Sequence, residues 1–512
     1  MKKGYILLAI MTACTGSLMA QEMTQEKYQL ADERQLWGES QNAAGLAHDM
    51  RDSSDNRGVA YFDLMHRSGD YHRVQEGGQM NQLRFYTERY QKIGRYLYGY
   101  GSFDFDMGRT KERAWNDVLR PYNSNPYISG SSLPGKYDHQ NFALNAKLAT
   151  IRLGHFNYGA ALYYKVGDLS RLRDPRSRVR LADYKLTPSA TYTIGNHTLG
   201  LAAYYHRYKE KLVGLTTVQT DPGLKYYIMT GLEHAAGSVG GYSGYWREYV
   251  NHDFGGELSY AYQTNGFRSL NALMLSHGTE YVYGQYKYEP GTWYTYDYGF
   301  STRNRIDKGN TLHSIDASIN YEEGYADQYN SQLITEKDGP YTTQRWERTM
   351  TYKKRYQLKK LDLNAHYRLS FTDDQSVKGY VGASYELHAA DNKYLLSTSQ
   401  LKYSASVLGL EGGYGLLGQR LWVNAEARYG ISHKADLDLH NAATDYAQAV
   451  LLPDMAYYEA KYWQGRMAIT YQFPLTIKGF TSQWFVKAYG SYLKTDNSLK
   501  SQTAGLSFGV YY

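Results

Sequence analysis

The chain has 512 residues, 57 lysines and arginines against 50 aspartates and glutamates, one cysteine and a mean hydropathy of −0.63. A formal net charge of +7 over this length gives no argument for nucleic acid, and beyond residue 20 no apolar run approaches the roughly 20 residues of a spanning helix, which excludes a helical membrane protein. The 56 tyrosines and 49 glycines, beside 10 prolines, suit strands that cross an interface, where the tyrosine ring is buried and its hydroxyl stays wet.

Residues 1–20 read as a secretory signal: Lys2 and Lys3, the apolar run Tyr5 to Met11, then Ser17-Leu18-Met19-Ala20 before Gln21. Cys14 lies inside it, in a loose version of a lipoprotein box, Met11-Thr12-Ala13-Cys14. Cleavage after Ala20 leaves a mature chain with neither disulfides nor thiolate chemistry. Residues 21–57 show little strand alternation and contain Leu36-Trp37-Gly38-Glu39-Ser40-Gln41-Asn42-Ala43-Ala44-Gly45-Leu46-Ala47.

Residues 58–512 repeat a two-residue period. Leu361, Leu363, Ala365, Tyr367, Leu369 and Phe371 alternate with Asp362, Asn364, His366, Arg368 and Ser370. After a turn, Val377, Val381, Ala383, Tyr385 and Leu387 oppose Lys378, Tyr380, Ser384, Glu386 and His388. The runs 421–429 and 463–473 behave alike. One face of each run is apolar and the other carries charge, so in a membrane barrel the first meets lipid and the second the lumen. The lumen row then includes Glu257, Asp316, Asp362, His366, Arg368, Lys378, Glu386, Glu411, Glu426, Arg428, Arg466 and Lys487. It reads either as ion pairs holding the walls together or as a polar pore that sorts solutes by dipole and charge.

Seven short turns, near residues 91–94, 151–154, 195–197, 263–266, 372–375, 416–419 and 474–477, alternate with longer polar connections such as Met107 to Tyr137 and Lys211 to Val250. They imply an all-β, transmembrane, antiparallel barrel of at least 16 strands, with short periplasmic turns and long external loops. An eighth turn near Glu322-Glu323-Gly324, after a strand from Ser314 to Tyr321, makes 18. The last strand, Ser501 to Tyr512, sets Ala504, Leu506, Phe508, Val510 and Tyr512 against Thr503, Gly505, Ser507, Gly509 and Tyr511. It is expected to close the barrel against Gly58 to Met65, its small inward Gly505, Ser507 and Gly509 leaving room for residues 42–47.

This terminal strand resembles the closing strand of bacterial outer-membrane β-barrels. The resemblance implies the outer membrane of a Gram-negative bacterium and an assembly machinery that reads the C-terminal aromatic signal of Phe508, Val510 and Tyr512. Residues 36–47 resemble the N-terminal motif of FadL-like transport barrels and their Bacteroidota relatives, with Ala43 where that motif has proline. The resemblance implies a hatch inside the lumen carrying Trp37, Asn42, Gly45 and Leu46, a hydrophobic or amphipathic substrate passing it, and 14 strands. A periplasmic linker with Trp37 packed against the barrel is the plainer alternative.

Three loop features stand out. Arg171, Arg173, Arg176, Arg178 and Arg180 suit lipopolysaccharide phosphates or an acidic substrate. The row Arg345, Arg348, Lys353, Lys354, Arg355, Lys359 and Lys360 reads likewise. Tyr281, Tyr283, Tyr286, Tyr288, Trp293, Tyr294, Tyr296 and Tyr298 form an aromatic band suited to sugars or to an interface. Catalytic signals are weak. Gly241-Tyr242-Ser243-Gly244 lacks the second glycine of a nucleophile elbow, and His66 and His72 match no metal spacing. We therefore expect a non-enzymatic transport barrel without metal or cofactor, its partners being outer-membrane lipid, lipopolysaccharide and the assembly machinery. An accessory barrel docking a surface lipoprotein or TonB-dependent receptor is the alternative, and an outer-membrane phospholipase the lesser one.

Overall fold

A computed structural model describes residues 23–50, 52–218, 224–239, 244–373, 375–396, 398–477 and 480–512. The signal segment with Cys14, and residues 241–243, lie outside the described residues. The chain forms an 18-stranded antiparallel sheet closed into a barrel. Its strands are β1 Arg57–Gly69, β2 Gln79–Ile93, β3 Leu97–Arg113, β4 Gly135–Thr150, β5 Phe156–Arg171, β6 Arg176–Ile194, β7 His197–Thr216, β8 Arg247–Thr264 and β9 Phe267–Tyr283. They continue with β10 Gly291–Lys308, β11 Thr311–Asp338, β12 Tyr341–Thr372, β13 Val377–Tyr394, β14 Ser399–Leu416, β15 Leu421–Asp438, β16 Tyr462–Ile477, β17 Phe480–Thr495 and β18 Lys500–Tyr511.

Closure is made by β18 against β1, from Val59 opposite Tyr511 to Gly69 opposite Ser501. Gly58 and Tyr512 exchange both backbone hydrogen bonds, at 2.6 and 3.0 Å. Every strand of the wall thus has two neighbours, and no backbone edge faces lipid. The side-chain period places Leu201, Leu258, Leu275, Leu410, Leu506 and Phe508 outside, Leu410 being 67% exposed. Such a belt is anomalous in water and is the surface a bilayer covers.

At one end, the turn end, all eight connections are two to five residues long; at the other, the loop end, they range from two residues, 339–340 between β11 and β12, to long segments such as 114–134 and 439–461. Six of the seven short turns fall where the sequence places them; at the seventh, residues 474–477 still belong to β16, and residues 478–479 lie outside the described residues. The eighth lies elsewhere: it is Gly309-Asn310, between β10 and β11, with Gly309 at φ +57°. Glu322-Glu323-Gly324 continues β11 without a break. Two adjacent glutamates look like a turn, but Glu322 faces in while Glu323 faces out and accepts from Tyr321 and Tyr325 at 2.8 Å. Gly324 is small because the Trp293 ring lies across it. The strand number also departs from the 14 of the FadL-like pattern.

Val377, expected toward lipid, is buried against Leu30, Leu312 and Trp422. A register shift between the pairs Phe371–Gly379 and Thr372–Val377 turns it inward. The loop-end segments carry three inner strands (Ser129–Ser131, Lys225–Gly231, His234–Val239) in a small separate sheet.

Candidate functional site

The interior is occupied from both ends. At the turn end, residues 23–56 lie within the barrel as helix α1 (Gln25–Glu33), a 3-10 turn (Ala43–Gly45), the single-turn helix α2 (Leu46–Asp49) and a second 3-10 turn (Ser53–Asp55). Apolar seats hold this segment in three places. Leu30 enters the cluster of Leu312, Val377 and Trp422, Trp37 with Leu36 meets Ala261 and Leu270, and Leu46 with Met50 meets Tyr90, Tyr98 and Ala149.

Polar ties to the wall join these seats. Glu257 on β8 accepts from Ser40 Oγ at 2.5 Å and from the Gln41 amide at 2.9 Å. Lys147 Nζ donates to the carbonyls of Gly38 at 2.7 Å and Ser40 at 3.2 Å. Arg303 donates to the Leu36 carbonyl at 3.0 Å and Arg305 to the Glu33 carbonyl at 2.5 Å. The Glu33 carboxylate is held by Arg368 at 3.2 Å and Ser370 Oγ at 2.6 Å.

Each residue of the sequence-derived hatch motif has a part. Trp37 stacks on His48 with ring centroids 5.6 Å apart. Gly45 lies flat under that indole, where a Cβ has no room. Asn42 caps the 3-10 turn by accepting from the Ala44 amide at 3.1 Å, and its side-chain amide donates to the Ala190 carbonyl at 3.0 Å. Asp49 accepts from the Leu36 and Trp37 amides at 3.0 and 2.8 Å, and burial pushes its carboxyl up. Burial holds the His48 imidazole down at about 4; it hydrogen-bonds Thr191 at 2.9 Å.

Residues 42–47 do not sit beside the closing seam as expected. They pack on β5 to β7, where Gly159 and Gly200 open the wall for Ala44 and Asn42. The space at Gly505 and Gly509 is taken by the rings of Tyr489 and Phe485, and Ser507 donates to Asp63 at 2.6 Å. Tyr28 reaches the seam instead, 5.5 Å from the Tyr511 ring.

At the loop end, residues 114–134, 224–239 and 439–461 fold inward as a cap. Trp115, Tyr127, Ile128, Tyr227, Met229, Tyr446 and Val450 form one cluster with Trp293, Tyr356, Tyr394 and Leu401 of the wall. Asp454, on helix α3 (Leu452–Glu459), accepts from the Val74 amide at 2.8 Å and Tyr122 Oη at 3.1 Å. It joins three loops, and burial raises its carboxyl to about 6. Beneath the 114–125 segment lies a cavity of 710 Å³, none of whose lining residues belongs to residues 23–56.

The lumen row is a chain of ion pairs. His366 and Arg368 share Glu411 at 2.9 and 2.8 Å, Asp362 holds His388 at 2.7 Å, Arg428 meets Glu386 and Glu426, and Arg466 also meets Glu426, at 3.2 Å. Lys378 pairs with Asp373 at the turn, 2.6 Å away, and Lys487 lies 5.7 Å from the Tyr489 ring. Arg171 does not reach the surface: it is 2% exposed, donating to Tyr137 Oη, Leu133 O and Arg173 O. Arg173 donates to the Pro134 carbonyl at 2.8 Å. Arg176, Arg178 and Arg180 are exposed on β6, the first two paired with Asp174 and Asp168.

The aromatic band divides, with Trp293 buried in the cap cluster while Tyr281, Tyr296 and Tyr298 face out. His66 contacts Asn81 and His72 the Arg73 carbonyl, and among the described residues no group of three or more His, Cys, Asp or Glu side chains is placed to hold a metal. Sequence reasoning missed Glu33, Lys147 and Arg303, whose partners are backbone groups and side chains far along the chain. It also missed Asp297 and Glu322 in the cavity; the alternation that would reveal them lies in the stretch 267–371, where the turn was misplaced.

Solved structures with similar strand arrangements include the copper transporter OprC (TM-score 0.39, 9% identity, covering 88% of this chain and 81% of that one). The FrpB iron transporter from Neisseria meningitidis aligns at TM-score 0.39 and 10% identity, over 92% and 83%. OccAB4 from Acinetobacter baumannii aligns at 0.35 and 8%, over 89% and 98%. No curated protein matches the sequence. Residues 43–512, from the 3-10 turn of the inner segment to the last residue, match a family model throughout, and the chain belongs to the family of unknown function DUF6850.

Proposed function

We propose that this chain is an outer-membrane barrel of a Gram-negative bacterium that passes a small solute, with residues 23–56 acting as a hatch on the periplasmic side. The observation that carries this reading is a closed, lipid-belted wall that holds a 710 Å³ chamber under a loop cap and, separately, a non-covalently tied inner segment. A purely structural barrel has no need of a chamber of ligand size. The polar, charged lining supports a hydrophilic solute in place of the hydrophobic or amphipathic one that the FadL-like resemblance implies. Single-channel recording on the full chain and on a chain lacking residues 23–56 tests it. Removal of the segment raises conductance on this reading, and two equally silent barrels refute it.

A second reading, an accessory barrel, is favoured by β11 and β12. At 32 residues β12 exceeds β13, its 18-residue neighbour, by roughly 45 Å of strand at ~3.3 Å per residue. Both faces of this ribbon are largely exposed over residues 335–350, and an isolated hairpin is marginal in water. A surface lipoprotein or larger receptor laid along it supplies the missing face. Co-purification from the native membrane, lost on shortening the hairpin, tests that role. Arg176, Arg178 and Arg180 face outward on β6, which supports contact with lipopolysaccharide phosphates. For an enzyme the support is thin: His433 and Ser406 are 2.7 Å apart, but among the described residues no carboxylate backs the imidazole.

A further inference from the structure

We propose, resting on the reading of a barrel that passes a small polar solute, that the 710 Å³ chamber binds a zwitterion of short-peptide size, its ammonium against Asp297 and Glu322 and its carboxylate against Arg67 and Arg113. Asp297 and Glu322 stand directly opposite each other across the β10–β11 pair, and both line the chamber. Like charges so placed destabilise a sheet unless a cation answers them. Among the described residues neither lies within 4.0 Å of one, and Asp297 has only Ser276 Oγ at 3.0 Å as a hydrogen-bond donor. The nearby cations are engaged: Lys360 with Asp362 at 2.9 Å, Arg120 with Glu280 at 2.6 Å.

The other wall carries the opposite imbalance. Arg67 on β1 and Arg113 at the end of β3 have no carboxylate within 4.0 Å among the described residues; Arg113 donates to the carbonyls of Asn116 and Val118 at 3.3 and 2.5 Å. Arg73 beside them is occupied by Glu76 at 2.5 Å. In the 18-stranded ring β1 and β3 stand far round the wall from β10 and β11, so the unanswered charges face one another across the lumen. A buried acceptor lies beside these arginines. Gln75 is 1% exposed at the chamber wall, and its Oε1 has no hydrogen-bond partner, although its amide donates to Trp115 O and Tyr446 Oη at 2.9 and 3.1 Å. A simple ion satisfies one wall; a solute with charge at both ends satisfies both.

The full chain, purified in detergent, is titrated calorimetrically with trialanine, N-acetyl-trialanine and trialanine amide. Trialanine should bind about tenfold more tightly than either single-charge analogue, since each lost charge-assisted contact is worth a factor of that order. The pair Asp297→Asn and Glu322→Gln should erase the preference over the N-acetyl form, and Arg67→Gln with Arg113→Gln the preference over the amide. Equal affinities, or no binding, in the wild-type chain overturn the assignment without recourse to any variant. Flux into proteoliposomes separates the two readings: selective binding without flux removes the transport reading and leaves the chamber, whereas flux without selectivity does the reverse.

Discussion

Glu257→Ala is the sharpest test of what ties the inner segment to the wall. Its carboxylate is 5% exposed and accepts from two buried donors, Ser40 Oγ and the Gln41 amide. Hydrogen bonds to a charged partner contribute about 1.5–3 kcal/mol each, so removing both weakens docking by about 3–6 kcal/mol, or roughly two to four powers of ten in the ratio of docked to released segment. The donors left behind stay buried unless residues 38–42 leave the wall, which adds to the effect. Two readouts follow the release: open-channel events in a planar bilayer, and trypsin cleavage after Arg34, both expected to rise. Glu426→Ala serves as the control, because that carboxylate binds Arg428 and Arg466 and none of residues 23–56. Glu257→Ala barrels that stay as silent and as protease-resistant as wild type would show that the apolar seats alone hold the segment, refuting the polar tether.

Gly45→Leu should act in the same direction by overpacking against the Trp37 ring, at about 1–3 kcal/mol, raising protease access of the segment while the barrel's strand signal in circular dichroism is unchanged. Deleting residues 23–56 should leave closure intact, because the Val59–Tyr511 seam pairs wall strands alone; loss of the folded barrel would show the segment to be part of the fold. Asp454→Asn tests the cap. The carboxyl's docked value near 6 stands above its ordinary 3.8, so docking loses stability as pH rises from about 4 to 6, by up to about 3 kcal/mol. The variant should therefore protect residues 439–461 from proteolysis more than wild type does above pH 6, and equally below pH 4. The difference between the two chains isolates this carboxyl from His234, whose imidazole is held low by burial and acts in the opposite sense.

The barrel is legible in the sequence because its wall obeys one local rule, a period of two whose faces meet lipid and water. Leu506 and Phe508 face out and Ser507 faces in by parity alone. Where the rule fails the reason is local too: a register shift turns Val377 inward, and Glu322-Glu323 imitates a turn within β11. Residues 36–47 stand out in the sequence by their lack of strand alternation, but their seat on the wall does not. Asn42 binds carbonyls of Ala190 and Leu201, and Ala44 fits against Gly159; such contacts join residues more than 100 positions apart and leave no periodic trace. The arginine run shows the same limit. Arg171 and Arg178 share a charge and a neighbourhood, yet one is a buried strut and the other is exposed on the outer face, a distinction made by parity across the β5–β6 turn.

The two closures of the lumen differ in physical kind, and this bears on how a solute could pass. Residues 23–56 are held by small apolar seats joined through hydrogen bonds and ion pairs to Glu257, Lys147, Arg303, Arg305 and Arg368. Directional bonds of that sort exchange readily for water once one end is lifted, so the segment can leave the wall stepwise. The cap is a contiguous aromatic cluster built from three loops, and apolar packing of that extent is lost together or not at all. Asp454 spans those loops at the rim of the cluster, where its carboxyl is least at ease when ionised. A solute that entered by melting the cluster would have to displace all of it. One that entered through the polar edge, past Asn123, Tyr122 and Gln75, would have to displace hydrogen bonds alone, and those residues also line the chamber.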